Sequence, residues 1–197
     1  MQPTEDIILI KKSIRKEISV LKKEIPFEKK IERSAPILDK LERHPDFIKA
    51  QNLLFYWSMN DEVHTHIAVQ RLAAHKNIFL PVVDGDDLLI KKFNGVETLV
   101  AGESFAIPEP SVDAEETSIE NIDLVVVPGV AFDRQGGRMG RGKGFYDRMF
   151  SKVTKKEQTP AKIGVCFDFQ LIDSVPKEPH DELMNTIITE SDIIEIG

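Results

Sequence analysis

The sequence is short of cysteine and of long apolar runs. Its single cysteine, Cys166, excludes an intramolecular disulfide, as is typical of proteins in a reducing compartment, and its apolar neighbours indicate a buried structural thiol. No apolar stretch approaches the roughly 20 residues that a membrane-spanning helix needs, and the N-terminus has no apolar signal-peptide core. We therefore expect a cytoplasmic protein with no membrane partner.

Positive charge and aromatic side chains are scarce as well. The chain has 26 Lys and Arg against 33 Asp and Glu, a net charge of −7, and only one tryptophan and two tyrosines. Nucleic-acid-binding domains are usually basic, and RNA-binding modules add exposed aromatic residues to that surface, so no nucleic-acid partner is expected. The 197 residues, 41% of them hydrophobic, fit a single globular domain over residues 1–197. We expect a monomer.

Apolar residues recur every three or four positions from Ile7 to Ile25, which predicts an amphipathic first helix. Thr4 is placed to cap its N-terminus. Lys11 and Arg15 are four residues apart, so they share one helix face at the edge of the apolar stripe. By themselves they indicate either a solvated basic face or part of an anion site.

A second helical pattern runs from Ile31 to Leu41, and Pro36 interrupts it. A proline inside a helix removes a hydrogen bond and clashes with the preceding turn, so either the helix kinks or a new one begins near Ser34. We expect His44 to be an exposed residue at the end of this helix.

Short apolar runs between turn signals predict strands at 52–57, 78–83, 88–93, 122–127 and 162–167. The second and third of these form a hairpin, residues 63–72 form a helix that starts near Asp61 and Glu62, and 183–189 form a short strand or helix. Strands alternating with helices predict an α/β fold, a single three-layer domain with a largely parallel central sheet flanked by helices. Ligands bind at the carboxyl ends of such strands, where three loops fall: 58–62, 128–147 and 168–182.

The segment 133–148 combines five glycines with several arginines and a lysine, directly after a predicted strand. Glycines let a backbone approach a ligand closely, and cationic side chains attract phosphate. The run from Gly137 to Gly144, G-R-M-G-R-G-K-G, comes close to the P-loop pattern, but Gly144 replaces the Ser or Thr that holds Mg²⁺ there. The pattern therefore disfavours a standard P-loop NTPase and favours another kind of phosphate loop over a solvated basic loop. Asp147 beside it could hold Mg²⁺ against bound phosphates.

This loop and several other motifs, taken together, resemble the 5-formyltetrahydrofolate cyclo-ligase (methenyltetrahydrofolate synthetase) family over nearly the whole chain. The motifs are Lys11-Lys12-Ser13-Ile14-Arg15, Asp61-Glu62-Val63, Pro81, Glu109-Pro110, the segment 127–147 and His180-Asp181. The segment 127–147 is the most specific of them. The sequence departs from the family pattern at Met139, where leucine is common, and at Phe145, where tyrosine often stands and whose hydroxyl is lost here.

The resemblance implies an enzyme that converts 5-formyltetrahydrofolate to 5,10-methenyltetrahydrofolate with ATP and Mg²⁺, releasing ADP and phosphate. Phosphorylation would make the formyl oxygen a leaving group, and N10 of the folate would close the ring. Such a reaction asks for positioning and charge stabilisation more than for a protein nucleophile. The alternative is an α/β phosphate-ligand-binding protein related to sugar-phosphate isomerases, without ATP-driven chemistry, which would not need paired carboxylates for Mg²⁺.

The resemblance also implies roles for particular residues. ATP would be bound by Lys11, Lys12, Ser13, Ile14, Arg15, Arg138, Met139, Gly140, Arg141, Gly142, Lys143, Gly144, Phe145 and Tyr146. The folate substrate would be bound by Trp57, Glu62, Arg141, Gly142, Lys143, Gly144 and Phe145. Arg141 and Lys143 would be the catalytic residues, and Asp147 and Asp181 would hold the metal ion.

Several of these residues have a plain structural alternative. Trp57 could pack in the core, Glu62 could interact with a helix dipole from the first turn, and Tyr146 could stack on a ligand ring or only pack. Asp133 is expected to stabilise the glycine loop by accepting hydrogen bonds from its N–H groups.

Three histidines, His64, His66 and His75, lie near one another in sequence. His64 and His66 cannot share a helix face, and no cysteine or carboxylate partner completes a zinc spacing. A metal site at these histidines is therefore not expected.

Overall fold

The computed structural model describes residues 5–102, 107–154, 159–178 and 181–196 of the chain. The expected cap Thr4 and the motif residue His180 lie outside these residues. Within them, no helix is both long enough and apolar enough to cross a membrane.

The α-helices of the described residues are α1 (Glu5–Glu24), α2 (Phe27–Arg43), α3 (Pro45–Lys49), α4 (His66–Leu72) and α5 (Phe145–Ser151). The strands up to the glycine loop are β1 (Asn52–Leu54), β2 (Asn77–Asp84), β3 (Asp87–Lys92), β4 (Leu99–Ala101), β5 (Pro108–Pro110), β6 (Glu116–Thr117) and β7 (Leu124–Val127). The later strands are β8 (Ala131–Asp133), β9 (Arg138–Met139), β10 (Ala161–Val165), β11 (Leu171–Ile172), β12 (Thr186–Ile188) and β13 (Ile193–Glu195).

The main sheet has the strand order β13-β12-β10-β7-β1-β2-β3-β6. Its five inner strands, from β12 to β2, pair in parallel, and antiparallel strands extend it at both edges. The predicted hairpin is confirmed, because β2 and β3 pair directly from Asp84 and Asp87 onwards. Because both faces of these parallel strands are buried, their sequences are continuous apolar runs, and this pattern predicted the strands.

Helices cover both faces of this sheet. Alternate residues of β1 enter different core clusters: Leu53 packs with Ile37 and Val69 from α2 and α4, whereas Leu54 packs with Met149 and Phe150 from α5. The alternation follows from the two-residue period of a strand. The predicted α/β architecture with a central sheet between helical layers is confirmed.

The second helix continues through Pro36. It runs without interruption from Phe27 to Arg43, so no new helix begins near Ser34. Ser34 is instead part of the helix interior, where its hydroxyl donates to the Lys30 carbonyl at 2.6 Å and accepts from the His64 N–H at 2.8 Å. The hydroxyl thus ties α2 to the segment before α4.

His44 lies at a helix end as expected, but its predicted exposure is wrong. The side chain is buried, because a further short helix, α3, begins at the next residue. His44 Nδ1 accepts from the N–H of Asp46 at 3.3 Å, and Nε2 lies 2.9 Å from Glu195 Oε1. The ring therefore joins α3 to the C-terminal strand β13.

Two other expectations about local structure need correction. The helix predicted over 63–72 begins only at His66, so Asp61 and Glu62 belong to the preceding loop. The glycine segment is more ordered than a simple loop, because β8 pairs with β9 and β11 in a separate three-stranded sheet. For residues 183–189 the sequence left a strand or a helix open, and the structure shows a strand, β12.

Candidate active site

A cavity of about 370 Å³ lies at the carboxyl ends of the parallel strands. Its lining comes from the loop 58–62 after β1, the loop 128–147 after β7, and the segment after β10 through Glu178 and Asp181. Side chains of α1 close another side of it. The three loops that the sequence singled out therefore meet at one cavity.

One wall of this cavity is apolar. It is formed by Trp57, Pro81, Val83, Leu88, Ile107 and Phe145. Trp57 also belongs to the hydrophobic core, and its indole stacks on the imidazole of His66 with ring centroids 4.0 Å apart and an interplanar angle of 12°. Trp57 is thus both a core residue and part of the cavity wall.

His66 supports this wall as a neutral ring. Burial and, to a lesser degree, the neighbouring His64 lower its pKa to about 4, against a hydrogen bond with Ser58 that acts in the opposite direction. Nε2 lies 3.0 Å from the Ser58 carbonyl oxygen, so the neutral ring donates its proton there. His64 does not share a helix face with His66, since α4 begins at His66, yet the two ring centroids are 4.4 Å apart.

The glycine loop needs glycine at two positions next to the cavity. Gly142 has φ +103° and Gly144 has φ +69°, the latter in the left-handed conformation directly before α5. Residues with a side chain rarely adopt these angles. Asp133 accepts from the N–H groups of Gly137 and Val175, both at 2.8 Å, which confirms its predicted role in stabilising the loop.

Arg138 and Asp147 form an ion pair at the cavity. Arg138 Nη2 donates to both carboxylate oxygens of Asp147, at 3.0 and 3.1 Å, and the two side chains are only 5% and 17% exposed. The Arg138 guanidinium also lies 5.4 Å from the ring centre of Tyr146, whose pKa is raised by burial. Within the described residues, the buried Nε of Arg138 has no hydrogen-bond partner. Asp147 therefore balances the charge of Arg138, and the Nε–H of Arg138 can still donate a hydrogen bond to a ligand.

Arg141 joins the glycine loop to the loop after β1. Its Nη2 donates to Asp61 Oδ1 at 2.6 Å and to Glu62 Oε1 at 3.0 Å. Asp61 Oδ2 lies 3.5 Å from Nζ of Lys22, whose side chain is 4% exposed. Glu62 Oε2 accepts from the N–H of Met59 at 3.0 Å. Because Glu62 is not in a helical first turn, the alternative that it interacts with a helix dipole is wrong.

The charges of this cluster change one another's pKa. Burial lowers the pKa of Lys22, although Asp61 and Glu62 favour its charged form. Burial raises the pKa of Asp61, but Lys22 and Arg141 outweigh it and the net shift is downward. Asp61 thus lies beside two cations, Lys22 and Arg141, that favour its ionised form.

Lys11 meets two carboxylates across the cavity. Its Nζ lies 2.6 Å from Glu178 Oε2 and 3.3 Å from Asp181 Oδ2, and all three side chains are largely buried. Asp181 Oδ2 also accepts from the N–H of Glu178 at 2.8 Å. Glu178 and Asp181 thus present their carboxylates to Lys11 of α1.

Arg15 and Lys143 differ from the other cations because neither has a carboxylate partner within the described ranges. Arg15 Nε donates to the Gly140 carbonyl at 3.1 Å, so α1 contacts the glycine loop while its guanidinium charge stays uncompensated. Lys143 is exposed at the cavity. These two side chains make this part of the cavity electropositive.

The structure brings most of the predicted site residues to the cavity. Its lining includes Lys11, Arg15, Trp57, Glu62, Arg138, Met139, Gly140, Arg141, Gly142, Lys143, Gly144, Phe145, Tyr146, Asp147 and Asp181. Three predicted ATP-binding residues are elsewhere: Lys12 and Ser13 are exposed on α1, and Ile14 packs against a small core cluster with Ile18. The helical period separates them from Lys11 and Arg15.

Other residues of the site were not predicted. Lys22 lies 7 positions after Arg15 and 11 after Lys11, so helical periodicity places all three on one face, a signal the sequence did contain. Glu178 comes from a segment whose position was predicted but whose residues were not singled out. Glu109, part of a family motif without an assigned role, is buried and lines the cavity.

The carboxylates of the cavity are compatible with Mg²⁺. Among the described residues, no three His, Cys, Asp or Glu side chains are close enough together to hold a metal ion by themselves. Proteins usually bind Mg²⁺ through one or two carboxylates together with phosphates of the substrate. Asp147 and Asp181 both line the cavity and provide such oxygen ligands.

A cavity at the carboxyl ends of a parallel sheet, with cations on one side and apolar surface on another, is characteristic of an α/β enzyme that acts on an anionic ligand. The sequence model described as the 5-formyltetrahydrofolate cyclo-ligase family matches residues 8–190. The chain therefore belongs to this family and is an enzyme of the cyclo-ligase type.

Relatives and solved structures agree with this assignment. The chain is 25% identical over 189 residues to a mouse 5-formyltetrahydrofolate cyclo-ligase, covering 91% of this chain and 93% of that protein. It is 29% identical over 157 residues to the Escherichia coli K12 protein of the same name, covering 77% and 85%. The NMR structure of Aquifex aeolicus 5,10-methenyltetrahydrofolate synthetase superposes with a TM-score of 0.83 at 28% identity, covering 95% of this chain and 93% of that one.

Proposed function

We propose that this protein converts 5-formyltetrahydrofolate to 5,10-methenyltetrahydrofolate in an ATP- and Mg²⁺-dependent reaction that releases ADP and phosphate. The family and its relatives support the cyclo-ligase activity. One observation supports the nucleotide requirement: cations from α1 and from the glycine loop face the same cavity, whose other wall is apolar. Such a cavity suits a triphosphate beside a largely apolar ring system.

The proposed chemistry proceeds in two steps. The formyl oxygen of the folate attacks the γ-phosphorus of ATP, and the bond to the bridging oxygen breaks so that ADP leaves. The lone pair of N10 then attacks the activated formyl carbon, N10 loses its proton, and the carbon–oxygen bond breaks to release phosphate. The formyl oxygen thus leaves as part of the phosphate. Both steps need aligned reactants and stabilised charge rather than a protein nucleophile.

Lys143 and Arg15 are the best placed cations for the transferring phosphoryl group. Both lie at the cavity without a carboxylate partner in the described part of the chain, so their positive charge is available to a ligand. Positive groups that are already positioned stabilise the charge that develops during transfer without further reorganisation. Arg141 contributes in the same way, once a ligand competes with Asp61 and Glu62 for its guanidinium.

Asp147 and Asp181 would hold Mg²⁺ in this proposal, and the ion, when bound, would neutralise phosphate charge. Asp147 forms an ion pair with Arg138 at 3.0 Å, and Asp181 forms one with Lys11 at 3.3 Å. Each carboxylate therefore has a cation that could turn to a phosphate group as the metal ion binds.

The folate would lie against the apolar wall. Trp57 provides flat surface that His66 holds in place, and Phe145 faces the same cavity. Glu62 remains able to accept a hydrogen bond from a pterin N–H group through Oε2, which has two lone pairs and accepts only the Met59 N–H within the described residues. Its Oε1 accepts from both Nε and Nη2 of Arg141.

A spectrophotometric assay tests the proposal. Purified protein is mixed with 5-formyltetrahydrofolate, ATP and Mg²⁺, and the near-ultraviolet absorbance of the methenyl product is followed. We expect a rise that requires both ATP and Mg²⁺. Lys143→Met should lower turnover by about 100-fold or more, since removal of one well-placed charge-stabilising donor typically has an effect of that order.

The matched control is Lys152→Met. Lys152 follows α5, is half exposed and pairs with Asp87 outside the cavity, so its removal should leave turnover close to that of the unchanged protein. Near-normal turnover in Lys143→Met would contradict the role given to the glycine loop. Folded protein that binds phosphate compounds but produces no absorbance rise would favour the alternative of a phosphate-ligand-binding protein.

A further inference from the structure

Glu178 occupies an unusual position for a carboxylate. It lines the cavity, its side chain is 12% exposed, and its Oε2 lies 2.6 Å from Nζ of Lys11. Asp181 Oδ2 is 3.3 Å from the same Nζ. A phosphate ligand that binds to Lys11 would therefore meet two negative side chains directly beside this lysine.

These carboxylates affect whether a nucleotide binds in its free form or together with a divalent cation. A phosphate that approaches Lys11 has to take the place of Glu178 or lie next to it, and like charges at that distance repel strongly in a partly desolvated site. A divalent cation bound to the phosphates removes most of this repulsion and attracts the carboxylate. The same residue therefore opposes a free nucleotide and tolerates or favours a metal-bound one.

We propose that Glu178 is a specificity-determining residue that makes the site select Mg²⁺-bound nucleotide over free nucleotide, with Lys11 as its counter-ion until the nucleotide binds. The inference rests on the proposed function. Reciprocity of binding requires that Glu178 also strengthens Mg²⁺ binding in the presence of nucleotide by the same factor.

Calorimetric titration with a non-hydrolysable ATP analogue tests this directly. The dissociation constant is measured with Mg²⁺ and with EDTA at the same ionic strength, and the ratio of the two defines the preference. We expect the unchanged protein to bind the Mg²⁺-bound analogue clearly more tightly than the free analogue. In Glu178→Gln this preference should be at least about tenfold smaller, the size expected from one close charge interaction. Glu178→Asp keeps the charge and should keep most of the preference.

Glu182→Gln is the matched control. Glu182 lies four residues along the same segment, pairs with Lys162 at 2.7 Å and does not line the cavity, so the preference should stay unchanged. Full preference in Glu178→Gln would overturn the inference and leave the proposed function intact, as would an unchanged protein that binds both forms equally well. An unchanged protein that is folded but binds neither form would overturn the proposed function and this inference together.

Discussion

The cationic side chains at the cavity fall into two kinds. Arg138 and Arg141 each have a carboxylate partner, whereas Lys143 and Arg15 have none in the described ranges. A paired, partly buried cation gives up part of its interaction with a carboxylate before it binds a ligand, so it contributes less net binding than an unpaired one. The difference explains why Lys143 is the first residue to substitute.

His66 leads to a prediction about pH. Its pKa is about 4 in the folded protein, against an ordinary value of 6.5, because burial disfavours the charged ring. Between these values the unfolded chain binds a proton that the folded protein does not bind. The contribution of His66 to the free energy of unfolding is therefore fully present above about pH 6.5 and is lost as the pH falls towards 4.

Replacement of His66 by Gln should accordingly flatten the loss of stability between pH 6.5 and 4, measured by urea unfolding at several pH values. His75→Gln serves as the control, since His75 is exposed on the surface after α4. Equal pH dependence in His66→Gln and the unchanged protein would show that His66 is not neutral and buried in solution.

At the level of elements, α1 connects two of the three loops that form the cavity. Lys22 near its C-terminal end is buried against Asp61, which holds Arg141 of the glycine loop. Arg15, seven residues before Lys22 on the same face of the helix, contacts Gly140. The helix therefore sets the distance between the loop after β1 and the glycine loop.

Lys22→Met tests this role of α1. Methionine has a similar volume. Asp61 is 35% exposed and keeps Arg141 as a partner at 2.6 Å, so removal of Lys22 leaves no unpaired buried charge. We expect little change in Tm but an increase in KM for the folate of about tenfold, because the loop that carries Glu62 loses its attachment. The neighbouring Lys23 is exposed, so Lys23→Met should change neither quantity. An unchanged KM in Lys22→Met would contradict the role of α1.

The sequence predicted elements well where the signal is local. The apolar periodicity of α1 and the apolar runs of β1, β2, β7 and β10 identified these elements. The two-residue strands β9 and β11 were not predicted, because two residues are too few to show a strand pattern. In addition, β11 depends on pairing with β8, which lies far earlier in the chain. His44 was placed wrongly because its burial depends on α3 and β13, not on its own sequence neighbours.

The same distinction applies to the site. Its residue types and its position at the strand ends followed from the glycine motif and from the predicted parallel sheet. Its ion pairs did not, because Arg141 and Glu62 are 79 residues apart in sequence, and Lys11 and Glu178 are 167 apart. Only the packing of α1 across the loops brings these charges together.

At the level of the whole molecule, the chain is acidic, with a net charge of −7, yet its cavity carries uncompensated cations. The contrast concentrates attraction for a small anion at the cavity. A single domain over residues 1–197, a monomeric state and a cytoplasmic location stay predictions.

In the proposed reaction, ATP phosphorylates the formyl oxygen, and this oxygen then leaves as part of the phosphate. The most direct measurement uses 5-formyltetrahydrofolate labelled with oxygen-18 in the formyl group, followed by mass spectrometry of the inorganic phosphate after a complete turnover with ATP and Mg²⁺. We expect the label to appear in the phosphate, with one labelled oxygen atom for each molecule of methenyl product formed. Methenyl product formed with unlabelled phosphate would contradict the proposed reaction.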